Sequence, residues 1–396
     1  MLGVLLFSGC GADIKFPVLS EWPTAAIPDY AHSARYAITD NLSDTLSVVS
    51  TDPAPVVYGT VPVGDIPVEL EGPHHLASAP DGSFVVFNLS NYVPGTGSGP
   101  HGSHGTGTVP GSLVRLDGAT LQEQGETLVD RSPGDVILSK DGKTAFVTHY
   151  DLLKVQSQML TGGAAETAYS SLAIIDTESM RRLSLQPICP TSHGEGLSAD
   201  EKTLYVTCSL SDQIVVVDVT DHNRPNVTSR VAVGPMPGPL GTPNYWPYAL
   251  TVSPKDGSVW VSDNKSGDVR VYDPTTGQMD PARVIFVGGV AMFGAFTADG
   301  GTYYVPHQGG NDLVTAIDTQ TLTTRDLALP STACLNAHAL VMMPDGVQAL
   351  VVCEGDHMTR PGSMVTLQLP SFSISGFVNV GMFADGAAYL PPISSN

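Results

Sequence analysis

Short apolar runs, separated by turns rich in Gly, Pro and Asp, extend along nearly the whole chain. Residues 249–277 (ALTVSPKDGSVWVSDNKSGDVRVYDPTTG) show the pattern: an apolar strand, an Asp-Gly turn, an aromatic-rich strand, a polar loop and an alternating strand that ends in Asp. Segments 196–220 and 295–321 repeat it. Alternating apolar and polar positions are typical of half-buried β-strands, and no long segment shows the helical period. The pattern therefore predicts an all-β chain with little helix.

The last strand of this pattern occurs seven times. Its copies are TLSVVSTD (45–52), SLVRLDG (112–118), SLAIIDT (171–177), QIVVVDV (213–219), DVRVYDP (268–274), LVTAIDT (313–319) and SMVTLQL (363–369). A repeat of roughly 40 to 65 residues fits one four-stranded sheet, and radial packing of such sheets leaves few exposed edges. We therefore predict a seven-bladed β-propeller of four-stranded antiparallel blades. A seven-strand sandwich is the alternative, but it does not explain the repeat count.

The two ends of the repeat region predict how the ring closes. The first repeat begins at Arg35 with its second strand, and GAAYLPP (386–392) matches the inner-strand pattern YALTVSP (248–254). The C-terminal strand is therefore expected to complete blade 1. A chain of 396 residues usually suggests more than one domain, but regular β architectures can be this long. We predict a single propeller domain over residues 35–396.

The N-terminus predicts export. A short apolar run ends in Phe7-Ser8-Gly9-Cys10, which resembles a bacterial lipobox, in which a signal peptidase cuts before a Cys that becomes lipidated. We predict a lipoprotein signal segment over 1–10, a linker over 11–34, and a soluble mature protein that is periplasmic or at the cell surface, anchored to the membrane by lipid. The alternative is a frayed N-terminus with an incidental Cys10.

The repeat words resemble those of a known family. In YVTN-repeat propellers, a Ser-Pro-Asp-Gly turn is followed by Tyr-Val-Thr-Asn and a strand ending in Val-Ile-Asp. The matching words here are SPKDG with WVSDN, SADEK with YVTCS, and TADGG with YYVPH. The resemblance covers nearly everything after residue 35. It implies the propeller fold, but not one function, because the family includes surface proteins, binding modules and a few enzymes.

Charge and missing motifs narrow the function. The 39 acidic and 18 basic residues give a net charge of −21, which argues against a nucleic-acid partner and suits cationic ligands. The sequence has no Walker, GxSxG or HExxH motif. It also lacks CxxCH, so no c-type haem is expected.

Four cysteines after Cys10 form two pairs with equal spacing. Cys189 and Cys208 are 19 residues apart, as are Cys334 and Cys353. In each pair the first Cys precedes an inner strand and the second ends the neighbouring strand. We therefore predict two disulfides, each within one blade, as suits an exported protein. A soft metal site, with the spacing Cys-x₃-His…Cys, is the alternative.

The histidines concentrate at one end of the predicted blades. When the inner strands are aligned on the Pro of the turn (Pro80, Pro254 and Pro344), the position six residues earlier is His74, Gly134, His193, Tyr248, Met292 and His338 in blades 2 to 7. Three of these six positions are His, at the mouth of the predicted channel. The same rim receives His75, His149 and His307 at strand ends, His357 in a loop, and His101 and His104 in a Gly-rich insertion. Nine of the eleven histidines thus share one rim, and His32 and His222 lie elsewhere.

Such a ring predicts a metal site. Neutral imidazole binds Zn, Cu, Fe and Ni, and carboxylates orient imidazoles. The predicted metal ligands are His74, His75, His149, His193, His307 and His338, with His101, His104 and His357 as weaker candidates, and copper is favoured over zinc or iron. Rim carboxylates available as ligands or orienting groups are Asp135, Glu195, Asp263, Asp312, Glu354 and Asp356. Because adjacent strand residues face opposite ways, we expect His74 to face the axis and His75 to point to the opposite face, unless the chain is not yet extended at His75.

The adjacent His74 and His75 also resemble a feature of nitrous-oxide reductase, whose propeller holds copper in a ring of inner-strand histidines. The resemblance implies a metal site at the channel mouth. It does not extend to the reaction, because this chain has no cupredoxin-like domain.

We weighed three functions. The first is a binding or scaffold module whose rim recognises a protein, glycan or small ligand, with a metal site there; it has the largest share of the family. The second is a transition-metal redox or metal-handling protein. The third is a hydrolase or lactonase that uses a rim metal. We predict the first, as a monomer.

Overall fold

The computed structural model describes residues 34–64, 70–90 and 109–392. Three of the predicted features lie outside these residues: the signal segment with Cys10, the linker up to residue 33, and the Gly-rich insertion with His101 and His104. His32 lies outside them as well. No helix among the described residues is long and apolar enough to cross a membrane.

The described residues form seven antiparallel sheets, as the repeats predict. The blade 1 strands are β1 (Arg35–Asp40), β2 (Thr45–Ser50) and β3 (Val56–Pro62), joined by β29 (Ala384–Leu390). Those of blade 2 are β4 (Pro73–Ser78), β5 (Phe84–Leu89), β6 (Ser112–Asp117) and β7 (Glu123–Leu128). Those of blade 3 are β8 (Pro133–Leu138), β9 (Thr144–His149), β10 (Tyr169–Asp176) and β11 (Arg181–Pro190). Those of blade 4 are β12 (Ser192–Leu197), β13 (Thr203–Cys208), β14 (Gln213–Asp218) and β15 (Asn226–Ala232).

Blades 5 to 7 complete the ring. The blade 5 strands are β16 (Pro247–Val252), β17 (Val259–Asp263), β18 (Asp268–Asp273) and β19 (Gln278–Phe286). Those of blade 6 are β20 (Val290–Ala291), β21 (Ala295–Phe296), β22 (Thr302–Gln308), β23 (Leu313–Asp318) and β24 (Thr324–Ala328), in which β20 and β21 together form an interrupted inner strand. Those of blade 7 are β25 (Ala337–Met342), β26 (Gln348–Cys353), β27 (Ser363–Gln368) and β28 (Ser373–Asn379).

The C-terminal strand closes the ring. β29 pairs with β1 and occupies the inner position of blade 1, so the predicted completion of that blade by the end of the chain is confirmed. The inner strands contact one another around the ring, and β29 touches the inner strands of both blade 2 and blade 7. The propeller is therefore continuous around its axis.

Seven apolar clusters lie between successive blades. Between blades 1 and 2, for example, Val48 and Leu390 pack with Phe87, and all three are buried. Aliphatic and aromatic residues of two facing sheets fill each junction. Each sheet therefore covers both faces against its neighbours, and this burial is the dominant stabilising term of the fold.

Both predicted disulfides are present. One prediction about them is wrong: Cys189 lies on β11, the outer strand of blade 3, where it pairs in register with Ser170. Its bond to Cys208 of β13 therefore joins blade 3 to blade 4. The second bond joins Cys334, in the connection from blade 6, to Cys353 of β26. Both bonds therefore anchor a connection between two blades. At Cys189 this happens because β11, a ten-residue outer strand, runs almost directly into blade 4.

The insertion between β9 and β10 of blade 3 contains a helix. Helix α1 (Leu152–Thr161) begins where the Asp151 side chain accepts a hydrogen bond from the Lys154 backbone N–H, at 3.3 Å. It ends at Gly162, whose left-handed backbone (φ +64°) favours glycine. A short 3-10 turn, Ala165–Ala168, returns the chain to β10. The helix follows the end of β9 and so lies at the end of the blades that carries the histidines.

Candidate metal centre on the propeller axis

All seven inner strands are irregular at the same place. Between its first residues and the regular part of the strand, each inner strand shifts register by one residue against its neighbour. In blade 2, for example, Pro73 pairs with Leu89 and Leu76 with Phe87, so three residues on β4 span two on β5. These are β-bulges, which redirect side chains and are common next to functional sites. The repeat therefore builds a ring of seven bulges around the axis.

The bulges carry polar and aromatic side chains towards the axis. Those whose contacts define the candidate site are Asp385, His74, His75, Asp135, His193, Tyr248, Phe293 and His338. His74, His193, His338 and Asp385 are fully buried, and His75 is 6% exposed. The predicted convergence of His74, His193 and His338 thus occurs inside the channel, beneath the solvated mouth where it was expected.

His75 also faces the cluster, because the exception applies: the strand is not yet regular at this residue. Its ring centroid lies 4.7 Å from that of His74, 5.6 Å from that of His193 and 5.5 Å from that of His338. The alternation of a regular strand would have separated His74 from His75. The bulge between Pro73 and Leu76 cancels that alternation and turns both rings inward.

Three imidazoles are close enough to share one ion. A nitrogen atom from each of His74, His75 and His193 lies within 4.8 Å of the other two. A tetrahedral ion with metal–nitrogen bonds of about 2.0 Å holds its nitrogens about 3.3 Å apart, so ligation would draw the rings slightly inward. Gly134 provides space on one side, because a Cβ there would lie only 3.0 Å from Cδ2 of His193. The donor set therefore fits a transition metal.

Two carboxylates fix the orientation of these rings. His75 donates from Nδ1 to Oδ1 of Asp135 at 2.8 Å, and Nδ1 of His74 lies 3.2 Å from Oδ2 of Asp385. His338 donates from Nδ1 to the backbone carbonyl of Asp385 at 2.7 Å. An Nδ1 that carries the proton leaves the lone pair on Nε2, the atom that ligates a metal. Carboxylate–histidine pairs of this kind orient ligands in known metal sites.

Burial favours the neutral form of the His74 and His338 imidazoles. Desolvation lowers the pKa of His74 to about 4 against the opposing charge of Asp135, and burial lowers the pKa of His338 as well. Burial also raises the pKa of Asp385 to about 6, although His338, His75 and His357 oppose that rise. Neutral imidazole is the form that binds metals, so His74 can bind an ion near neutral pH without losing a proton.

A further carboxyl lies beside the cluster. Glu195 is 4% exposed, and its backbone N–H donates to Oδ2 of Asp135 at 3.3 Å. Burial and the negative charge of Asp135 raise the pKa of the Glu195 carboxyl well above its usual value, against a weaker interaction with the Thr148 backbone. Its oxygens have no side-chain hydrogen-bond partner in the described part of the chain. Glu195 therefore adds a carboxyl that favours its protonated form next to the His75–Asp135 pair.

Aromatic rings cover the cluster. Tyr248 stacks on His193, with centroids 4.1 Å apart and planes inclined by 22°. Phe293 contacts His75 at 4.5 Å and His338 at 5.5 Å. Tyr150, directly after β9, lies 5.4 Å from His193 and receives a hydrogen bond from the indole of Trp246 at 3.1 Å. Leu152 at the start of α1 packs on the same aromatic group.

The other predicted ligands lie apart from this cluster. His149 accepts from the Asp130 backbone N–H with Nε2 (2.9 Å) and donates from Nδ1 to the Ser171 carbonyl (2.7 Å). Nε2 of His307 lies 2.9 Å from the Thr315 hydroxyl. His357 stacks on Phe383 and pairs with Glu354. Among the described histidines the structure thus brings together His74, His75, His193 and His338, and it directs His149, His307 and His357 to other partners.

Sequence reasoning missed Asp385, Tyr150 and Phe293 as members of the site. Asp385 had a usable signal, because it is six residues before Pro391, the same offset that selects His74, His193 and His338. Phe293 follows Met292, the residue at that register in blade 6. No comparable signal marks Tyr150, which reaches His193 only because β9 ends beside the inner strand of blade 4.

No protein-family model and no curated protein matches this sequence. Solved structures match its fold. A protein of unknown function from Desulfotomaculum acetoxidans has a TM-score of 0.67 at 12% identity, covering 91% of this chain and 99% of its own. A periplasmic gluconolactonase from Pseudomonas aeruginosa has 0.65 at 16% identity, covering 91% and 100%. Hydrazine synthase from Kuenenia stuttgartiensis has 0.60 at 19% identity, covering 83% and 93%. The TM-scores show that this chain shares the propeller fold with these proteins. At identities this low, the similarity extends to the fold alone.

Proposed function

We propose that this protein is a transition-metal-binding propeller whose ion is held on the channel axis by His74, His75 and His193. One observation carries the proposal: nitrogen atoms of three buried imidazoles from two blades lie within 4.8 Å of one another. Buried histidines in a merely structural role turn their nitrogens towards separate backbone partners, as His149 does. The ligands of this site instead turn towards a common centre.

Charge supports a divalent ion. Two carboxylates, Asp135 and Asp385, contact the imidazoles His75 and His74 from behind, and no Lys or Arg pairs with either carboxylate among the described ion pairs. A buried charge that stays unpaired is costly. A divalent cation among the three imidazoles balances the two carboxylates. Copper or zinc suits an all-nitrogen ligand set, and Mg²⁺ and Ca²⁺ do not.

Burial separates the candidate activities. Buried ligands favour holding an ion, or exchanging electrons with it, over hydrolysing a lactone at the ion. A gluconolactonase is among the fold neighbours, at 16% identity, and Glu195 supplies a carboxyl near the site whose pKa is raised by burial. Hydrolysis is therefore the second candidate, and the binding of a partner at the mouth is compatible with either.

Export belongs to the same proposal. Disulfides persist in oxidising compartments, and two are present here. We infer that the protein is exported and anchored through a lipid on Cys10. Radiolabelled palmitate that labels the wild type but not Cys10→Ala, with membrane association lost in the variant, would support the anchor. Equal labelling of both would refute it.

Elemental analysis of untagged protein, with calorimetric titration of Cu²⁺ and Zn²⁺, tests the metal site. We expect one ion per chain and an increase in Tm on loading, because an ion that binds only the native state stabilises it. A metal-free protein whose Tm does not change with either ion would refute the proposal. His222→Asn is the matched control, because His222 lies at the opposite end of the blades, near Thr144 and Phe146.

A further inference from the structure

The aromatic residues over the histidine cluster form a continuous row that leads outward. It starts at His193, passes to Tyr150 at 5.4 Å between ring centroids, and continues through the 3.1 Å hydrogen bond from Nε1 of Trp246 to the Tyr150 hydroxyl. Tyr248 lies alongside, stacked on His193 and 6.3 Å from Tyr150. Tyr150 and Tyr248 are each 2% exposed, whereas Trp246 is partly exposed. The row therefore connects the buried cluster with the protein surface.

The surroundings hold this row in place. The Asp212 carboxylate accepts hydrogen bonds from the backbone N–H groups of Tyr245 (3.0 Å) and Trp246 (2.9 Å). The Trp246 ring packs with Val155 of α1 and with Leu210 in a separate apolar cluster. The row is thus fixed at its outer end by a buried carboxylate and by the helix inserted into blade 3.

From this geometry we infer that Tyr150 and Trp246, with Tyr248 beside them, form an electron-transfer path between the buried metal centre and the surface. The inference rests on the proposed metal site. An ion enclosed this deeply cannot meet a redox reagent directly, so electrons must cross the protein, and the contacts from His193 through Tyr150 to Trp246 provide a short route to the surface. The protein's contribution is to hold the ion and orient these rings.

The transfer is one electron with no bond made or broken. With copper in the site, an outer-sphere donor at Trp246 is oxidised by one electron, and Cu²⁺ is reduced to Cu⁺. The immediate donor is a one-electron metal complex or redox protein.

Stopped-flow reduction of the Cu²⁺-loaded protein by hexaammineruthenium(II) tests the path. This reagent cannot ligate copper, and its positive charge suits a chain of net charge −21. Loss of the Cu²⁺ EPR signal gives the rate, and calorimetry gives the Cu²⁺ affinity of each variant. Trp246→Leu is expected to lose most of the rate and keep the affinity. Tyr150→Phe, which loses only the hydroxyl bonded to Trp246, is expected to slow less.

Phe286→Leu is the matched control, because Phe286 is an aromatic residue on blade 5 that is 74% exposed and belongs to none of these contacts. Its rate should equal that of the wild type. Bound Cu²⁺ with wild-type rates in both Trp246→Leu and Tyr150→Phe would refute the path alone, as would equal slowing in Phe286→Leu. Protein that binds no Cu²⁺ would refute the metal site, and the path with it. Tyr150→Phe decides the matter if Trp246→Leu fails to fold.

Discussion

Histidines on the inner strands and histidines on the second strands look alike in sequence but differ in structure. His193 begins an inner strand, lies on the axis and contacts His74 and His75. His149 ends the second strand of the preceding blade and is equally buried, but both of its ring nitrogens bond to nearby backbone. Burial and position on one rim therefore do not identify a ligand. What separates the two classes is the bulge, which turns inner-strand side chains away from their own sheet and towards the axis.

The strongest test of this comparison removes one histidine from each class. His193→Ala is expected to lower the affinity for Cu²⁺ or Zn²⁺ at least about 100-fold, because it deletes one of three ligands. His149→Asn should leave the affinity near that of the wild type. Titration calorimetry on folded protein, verified by circular dichroism, gives both values. A loss of affinity in His149→Asn as large as that in His193→Ala would contradict the division.

The pH dependence of folding stability tests the second class of histidines, to which His149 belongs. Burial lowers the pKa of His149 to about 4, against an unfolded value near 6.5. Between these values the unfolded state binds the proton and the folded state does not, so stability is lost as the pH falls from 6.5 to 4 and is unaffected by this group above 6.5. His149→Asn should remove this term, which is worth a few kcal/mol at most.

Urea unfolding of metal-free protein at pH 7 and at pH 4.5 measures that effect. At pH 7 His149→Asn is expected to cost about 1–3 kcal/mol through its broken hydrogen bonds, and to show a shallower decline towards pH 4.5 than the wild type. His222→Asn serves as the control and should match the wild-type slope. If the free energy of unfolding fell by the same amount between pH 7 and pH 4.5 in all three proteins, the lowered pKa of His149 would be refuted.

Substituting a carboxylate that orients a proposed ligand is expected to lower the metal affinity by a smaller factor. Asp135→Asn keeps the shape of the residue that accepts the Nδ1 proton of His75 but removes its charge. The affinity for the ion should fall about 10- to 100-fold, as when orienting partners of metal ligands are changed. Asp326→Asn is the control, because Asp326 bonds to Thr315, the partner of His307, in the class of histidines that does not converge. Equal losses in both variants would mean that the effect is not specific to the ring of bulges.

The smallest effect is expected at His338. Its ring lies 5.5 Å from that of His75, but it is outside the group of three nitrogens that approach within 4.8 Å. His338→Gln should therefore change the affinity by no more than about tenfold, since it perturbs the pocket without removing one of the three ligands. A loss matching that of His193→Ala would show that the site has four ligands.

The fold follows from the sequence in nearly every respect, because it depends on a repeated local pattern. The seven predicted strands such as 213–219 match observed ones such as Gln213–Asp218, and strand β29 closes the ring as expected. The site follows only in part. Register alone identifies His193, since equivalent positions of a repeat face the same way.

The remaining features depend on interactions that no local pattern encodes. The inward orientation of the His75 ring depends on the bulge in β4, and bulges are not visible in the alternation of residue types. Cys189 was assigned to the wrong blade because nothing in the sequence shows that β11 extends for ten residues. The contact of Tyr150 with His193 joins the second strand of one blade to the inner strand of the next.

Asp385 belongs to the last strand of the chain, although it contacts His74, near the beginning of the described residues. The proposed ligand set therefore acquires its full environment only after β29 has paired with β1 and packed against the inner strands of blades 2 and 7. A truncated or incompletely folded chain lacks the carboxylate that orients His74, and would release its ion more readily. Retention of the proposed ion would therefore depend on closure of the propeller ring.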